Sequence, residues 1–273
     1  MIMSLSSQKK EKTYNIAYEP DLVPPLNLMD SEGIDTIEEW FRWAEEWSML
    51  LRIYGKLNAN TSVLEIGCGL GRIAFPLRYL LIGTGSYDGF DISKYKIDFL
   101  KEKFSTAHPR FRFAWADILN TYYNPDGKTK STEFRFPYPS ASFELVYAAS
   151  VFTHLLPENT QHYFKEAARV LKDKGRCVFS FFLLDNYVSG NPRPLGFNNS
   201  IFEFEHSYED WDDKFAIANP ENVEEMTAYR LSLIEEFARK AGLKLSQEPV
   251  PGLWSGNALQ PIGAQDIVIL EKI

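Results

Sequence analysis

Hydrophobic positions change their period along this chain. Ile37, Trp40, Phe41, Ala44, Trp47, Leu51 and Tyr54 recur at the spacing of one helix face. Thr36 followed by Glu39 fits a capping box, so a helix is expected from Ile37 to Leu57. Residues up to Asp35 are polar and interrupted by Pro20, Pro24 and Pro25. They read as an arm able to order over a ligand or a neighbour. The tryptophans of the helix fit packing on the same domain and pairing in a homodimer equally well.

From Ser62 onward the pattern alternates. SVLEIG, YDGFDIS, RFRFAWADI, FELVYAAS and GRCVFSFFLL read as strands, while RIAFPLRYLL, KYKIDFLKEKF and ENTQHYFKEAARVLK read as helices. Pro76 falls in the first turns of its helix, where a missing N–H is tolerated. A further helix is expected from Glu224 to Ala241, stopped by Gly242. LKLSQEPV and AQDIVILEKI close the chain as two strands with no helix between them, so the last should run antiparallel. The expectation is an α/β fold with a doubly wound, seven-stranded, mostly parallel sheet and helices on both faces. Residues 1–60 would form an N-terminal arm and helix acting as a lid or cap. Residues 61–273 would form the main domain, with insertions at 120–142 and 185–222. Loops this long often serve as lids or binding loops.

Composition narrows the function. A net charge of -8 argues against nucleic acid as a partner. No apolar run reaches the ~20 residues of a membrane span, and MIMSLSSQKKEK lacks a signal-peptide core. Cys68 and Cys177 form no CxxC or His/Cys cluster, so neither a metal site nor a disulfide scaffold is supported. A cytoplasmic protein with reduced thiols is expected. The aromatic share of 15% suggests that some rings line a cavity.

The stretch LEIGCGLGRI holds the candidate chemistry. Gly67, Gly69 and Gly71 alternate directly after the first strand, where glycine allows positive φ and lets a ligand approach the backbone. The following helix start offers free N–H groups. A P-loop is excluded because Arg72 and Ile73 stand where Lys and Ser/Thr are required. A dinucleotide fingerprint needs G-x-G-x-x-G, and here the third glycine comes one residue early.

Glu65, two residues before the first glycine, completes a motif that resembles the class I S-adenosylmethionine-dependent methyltransferases. The resemblance runs from about Ser62 to Ile273 and implies a Rossmann-like fold. It implies S-adenosylmethionine as cofactor and S-adenosylhomocysteine as product. Gly67, Cys68, Gly69 and Gly71 would form the cofactor loop, with Glu65 acting through water or the loop backbone on the methionine end. Arg72 could reach the cofactor carboxylate or simply lie at the surface. Asp91, followed by Ile92, would take the ribose hydroxyls in charge-assisted bonds. Asp117 would lie near the adenine amino group with Ile118 facing the ring, and a carbonyl near Ala149 would hold the methionine ammonium. Either acid alone also fits a helix cap or a solvated strand end. Their joint place at successive strand ends, where open sheets bind ligands, favours the cofactor.

Methyl transfer requires an acceptor held in line with the donor, which can lower a barrier by up to roughly 7–11 kcal/mol. A hydroxyl acceptor needs a base, and His154 in SVFTHLLP is the best placed. The same position fits a structural hydrogen bond at a helix entry. His206, Glu203 and Glu205 could serve instead. Tyr18, Phe152 and Trp254 are candidates to face the sulfonium or to pack. FPYPSASFELVYAASVFTHLLPEN and VPGLWSGNALQPIGAQDIVIL resemble a bacterial subgroup associated with polysaccharide and small-metabolite pathways. That implies O-methylation of a sugar or similar polar hydroxyl. Ala148-Ala149-Ser150-Val151 replaces the NPPY-type tetrapeptide, which argues against adenine or glutamine N-methylation. The alternatives are C- or N-methylation of an aromatic or isoprenoid natural product, and a non-catalytic cofactor-binding subunit.

Overall fold

The computed structural model describes residues 19–187, 203–255 and 263–273. Three short turns, Pro20–Leu22, α1 (Leu26–Met29) and Asp30–Glu32, lead into α2 (Ile37–Ile53). Thr36 Oγ1 accepts from the Glu39 N–H at 3.1 Å, as the capping pattern requires. Helix α2 ends at Ile53, four residues short of the expected Leu57. Trp40 and Trp47 are buried, and Trp47 stacks on Tyr147 of the chain's own sheet.

The sheet contains β1 (Ser62–Ile66), β2 (Ser86–Asp91), β3 (Phe111–Trp115), β6 (Phe143–Ala148), β7 (Leu171–Phe181), β11 (Leu243–Leu245) and β12 (Asp266–Lys272). Between β3 and β6 lie the two-residue strands β4 (Ile118–Leu119) and β5 (Thr129–Lys130). The sheet order is β11-β12-β7-β6-β1-β2-β3. Only β12 runs antiparallel to the parallel block, pairing with β7 and β11. The expected seven-stranded, mostly parallel sheet with an antiparallel last strand is therefore present.

Helices α3 (Ala74–Leu80), α4 (Lys94–Leu100) and α5 (Pro157–Val170) make the crossovers, and α6 (Leu231–Ala241) precedes β11. Strand β1 shows why both faces are covered. Val63 joins the core that contains Trp40, Ile97 and Leu77, while Leu64 and Ile66 join the core that contains Phe164 and Phe237. Parallel register places Ile66 beside Phe90 and beside Ala148, so Gly67, Asp91 and Ala149 all leave the sheet at one edge.

Three further boundaries differ from the sequence expectation. Helix α5 stops at Val170 and β7 starts at Leu171, ahead of the glycine expected to open it. Helix α4 passes into a π-helical turn, Lys101–Ser105. The expected helix from Glu224 starts only at Leu231, because Thr227–Tyr229 is a strand. This strand, β10, pairs with β9 (Phe215–Ile217), which pairs with β8 (His206–Ser207). Tyr18 and residues 188–202 of the second insertion lie outside the described residues. Among the described residues, no helix is long and apolar enough to cross a membrane.

Candidate active site

Gly67, Gly69 and Gly71 all have positive φ, at 71°, 50° and 77°. The bend closes on backbone bonds. Gly67 and Cys68 N–H both donate to Phe90 O, at 2.9 and 3.1 Å, and Gly71 N–H donates to Cys68 O at 2.9 Å. The Cys68 side chain is buried and packs against Gly89, so it is a wall of the bend rather than a cleft group.

Two carboxylates grip the bend from above. Asp91 accepts from the Gly69 N–H at 2.8 Å and from the Ser93 N–H at 2.7 Å. Burial pushes its pKa up, against the pull of Lys96 and those two N–H groups. Glu32, from the turn before α2, accepts from the Leu70 N–H at 2.7 Å and pairs with Lys96 at 3.2 Å. A Cβ on Gly69 would collide with Glu32 Oε1. The space that glycine leaves open is filled by a carboxylate oxygen of the chain itself.

Glu65 lies beneath the bend, sealed at 2% exposure. Its neighbour across β6 is Tyr147, whose hydroxyl donates to it at 2.8 Å, and the Tyr87 hydroxyl donates to the same oxygen. Burial raises its pKa to about 8, although both hydroxyls and the Arg72 charge act the other way. Arg72 leaves the bend with its Nε buried and unpaired, and its guanidinium has no hydrogen bond or ion pair among the described residues.

The methyltransferase-domain family matches residues 63–175. The 27-O-demethylrifamycin SV methyltransferase of Amycolatopsis mediterranei is 29% identical over 130 residues, which span 47% of this chain and 41% of that protein. An S-adenosylmethionine-dependent methyltransferase from Aquifex aeolicus has the same fold, with a TM-score of 0.52 and 14% identity over 92% of this chain and all (100%) of that one. Over residues 63–175 the chain is similar to methyltransferase domains. The [4+2]-cyclase SpnF shares the fold at a TM-score of 0.55, with 15% identity and 93% of each chain covered. The acceptor chemistry therefore has to be argued from side chains rather than from the fold.

The residues at this edge fit S-adenosylmethionine, the cofactor of such domains. The oxygen of Glu32 on the Leu70 N–H demonstrates that the bend receives an oxygen-bearing group. The unpaired Arg72 guanidinium suits a carboxylate. Asp91 keeps lone pairs for hydroxyls beyond its two backbone donors. Asp117, at the next strand end, is half-buried, and its carboxylate makes no hydrogen bond among the described residues. Ile92 is half-buried against the core and its carbonyl accepts from Trp115 Nε1 at 3.0 Å. Ile118 is 1% exposed within the core itself, so its side chain packs against protein. Ala149 is half-buried just before Ser150, which takes a left-handed φ of 58° and donates its N–H to Ser180 Oγ.

His154 sits in the 3-10 turn Phe152–His154 that follows this segment, 7% exposed. Its Nδ1 lies 2.7 Å from Glu225 O and 3.3 Å from Glu224 O. A carbonyl can only accept, so Nδ1 carries the proton and Nε2 is left as an acceptor. The Tyr123 hydroxyl, 3.2 Å away, donates to it. Burial lowers the His154 pKa to about 4, the two carbonyls notwithstanding. His206 is exposed on β8, and Glu203 accepts from the Tyr187 hydroxyl.

Phe152 stacks on Phe181 and is fully buried, while Trp254 packs with Phe182, Tyr187 and Phe204. Both rings pack in the interior rather than line a cleft. Sequence reasoning did not single out Glu32, Lys96, Asn120 or Tyr123. The only available signal for Tyr123 was its place in the long 120–142 insertion.

Proposed function

We propose that this domain methylates a hydroxyl of a small polar acceptor, a sugar or a similar metabolite. The observation that carries the reading is a proton-accepting nitrogen, His154 Nε2, in the turn after β6 at the edge where Gly67 and Asp91 leave the sheet. An O–H acceptor must lose its proton when it gains a methyl group, and a ring nitrogen with a free lone pair is suited to take it. The packed rings of Trp254, Phe182 and Phe204 also support a polar acceptor, since they pack against one another. The small-molecule relative named above is consistent with this class. The cofactor supplies an electrophilic methyl group when bound. Arg72, Asp91 and Asp117 would hold it, and the rest of the site must orient the acceptor and keep water out.

Two buried free thiols, Cys68 and Cys177, support a reducing, cytoplasmic setting, and the Amycolatopsis relative supports a bacterial one. The test is methyl transfer from deuterium-labelled S-adenosylmethionine to a pool of hydroxylated metabolites, with the product mapped by mass spectrometry. Label on oxygen supports the reading, and label on carbon or nitrogen overturns it. Cofactor binding without transfer to any pool member would favour a non-catalytic subunit.

A further inference from the structure

His154 does not face the acceptor by itself. Its ring is buried, one nitrogen is committed to backbone carbonyls, and the other is covered by Tyr123. Tyr123 in contrast is 50% exposed. Asn120 fixes its place. The Asn120 Oδ1 accepts from the Tyr122 and Tyr123 N–H groups at 3.1 and 2.8 Å, and its Nδ2 donates to His154 O at 3.1 Å. Thr121 ties the same turn to Glu224, with its N–H and hydroxyl at 2.6 and 2.7 Å from one carboxylate oxygen. The Tyr123 ring stands edge-on to the imidazole at 4.9 Å, and Tyr122 lies parallel to it at 6.5 Å. Three separated stretches of chain thus converge to aim one phenol. Burial and the neighbouring Tyr122 raise the Tyr123 pKa, and the charges of Asp91, Glu32 and Glu225 act in the same direction.

We propose that Tyr123 is the residue that meets the acceptor. Its own proton is given to His154 Nε2, so its free lone pairs receive the O–H of the acceptor and point that oxygen for attack. As the acceptor oxygen forms its bond to carbon, the carbon–sulfur bond breaks and the electron pair stays on sulfur. The acceptor proton passes to Tyr123 Oη while the Tyr123 proton passes to His154 Nε2. The positive charge that leaves sulfur ends on the imidazole, and His154 acts as the positioning residue behind Tyr123. A neutral buried imidazole is too weak a base to ionise an alcohol beforehand. An oxygen that has gained a methyl group while keeping its proton is strongly acidic, so late transfer runs downhill.

This inference rests on the O-methylation reading, and its test separates the two. Tyr123→Phe should lower turnover about a hundredfold. It should leave the calorimetric affinity for S-adenosylhomocysteine unchanged and abolish a solvent isotope effect on turnover. Independently of any acceptor, the His154 Nε2 resonance in nitrogen NMR of the ligand-free protein should shift in Tyr123→Phe. Turnover within about threefold of the parent, or an unmoved Nε2 resonance, would overturn the relay. Label found on carbon or nitrogen would instead overturn the O-methylation reading while the resonance still reports the hydrogen bond.

Discussion

Glu32 Oε1 lies 2.7 Å from the Leu70 nitrogen, in the space that Gly69 keeps free of a side chain. A carboxylate there competes with whatever the bend is shaped to hold. Hydrogen bonds to charged groups contribute about 1.5–3 kcal/mol, and 1.4 kcal/mol corresponds to tenfold in affinity. Glu32→Ala should therefore tighten S-adenosylhomocysteine binding about tenfold, as read by titration calorimetry. Weaker binding would show that Glu32 is itself a cofactor ligand, and unchanged binding would show that it does not compete.

Arg72 is expected to behave in the opposite way. Its guanidinium bonds to nothing among the described residues, so Arg72→Ala should leave the denaturant midpoint almost unchanged. Cofactor affinity should fall about tenfold or more, because a charge-assisted bond to a carboxylate is lost. A large loss of stability with unchanged binding would place Arg72 in the scaffold.

Glu65 makes stability depend on pH. Its pKa rises from 4.5 to about 8 on folding, so between those values the folded chain holds a proton that the unfolded chain has released. This contribution is fully present below 4.5 and is lost as pH climbs toward 8. Glu65→Gln keeps an oxygen for the Tyr87 and Tyr147 hydroxyls but cannot ionise. Urea unfolding across the window should show the wild type losing stability relative to the variant as pH rises. Parallel profiles would mean that the carboxyl is already ionised in the fold.

Asp266 holds the C-terminal strand to its surroundings. It is fully buried and accepts from Leu183 N–H, Gly252 N–H, Asn186 Nδ2 and Trp254 Nε1, at 2.9, 2.9, 3.0 and 2.6 Å. Asp266→Ala would leave several buried donors unpaired, each costing about 1–3 kcal/mol. We expect a loss of at least about 3 kcal/mol in denaturant melts, with Asp266→Asn milder. A neutral Asp266→Ala would show that water replaces the carboxylate.

The sheet was legible because its strands are buried on both faces and read as short apolar runs between turns. Asp91 and Asp117 were singled out because each closes such a run, and β2 does end at Asp91. What escaped was set by contacts far apart in sequence. Thr227–Tyr229 sits in a stretch whose hydrophobic spacing suits a helix, and only pairing with Phe215–Ile217 makes it a strand. Glu32 meets Leu70 across 38 residues, and nothing in a polar arm marks one glutamate out. His154 was found, but its tautomer depends on carbonyls 70 and 71 positions later. The protonation that decides its role therefore has no local signature.

The sheet order also bears on how the chain matures. Strand β12 lies between β7 and β11, so residues 266–272 fill an interior slot. While a ribosome is still adding those residues, the β7 backbone has an open edge on that side. Such an edge can recruit strands from other chains. We therefore expect nascent fragments that stop short of residue 266 to be captured by holding chaperones, and release to coincide with emergence of residues 266–272.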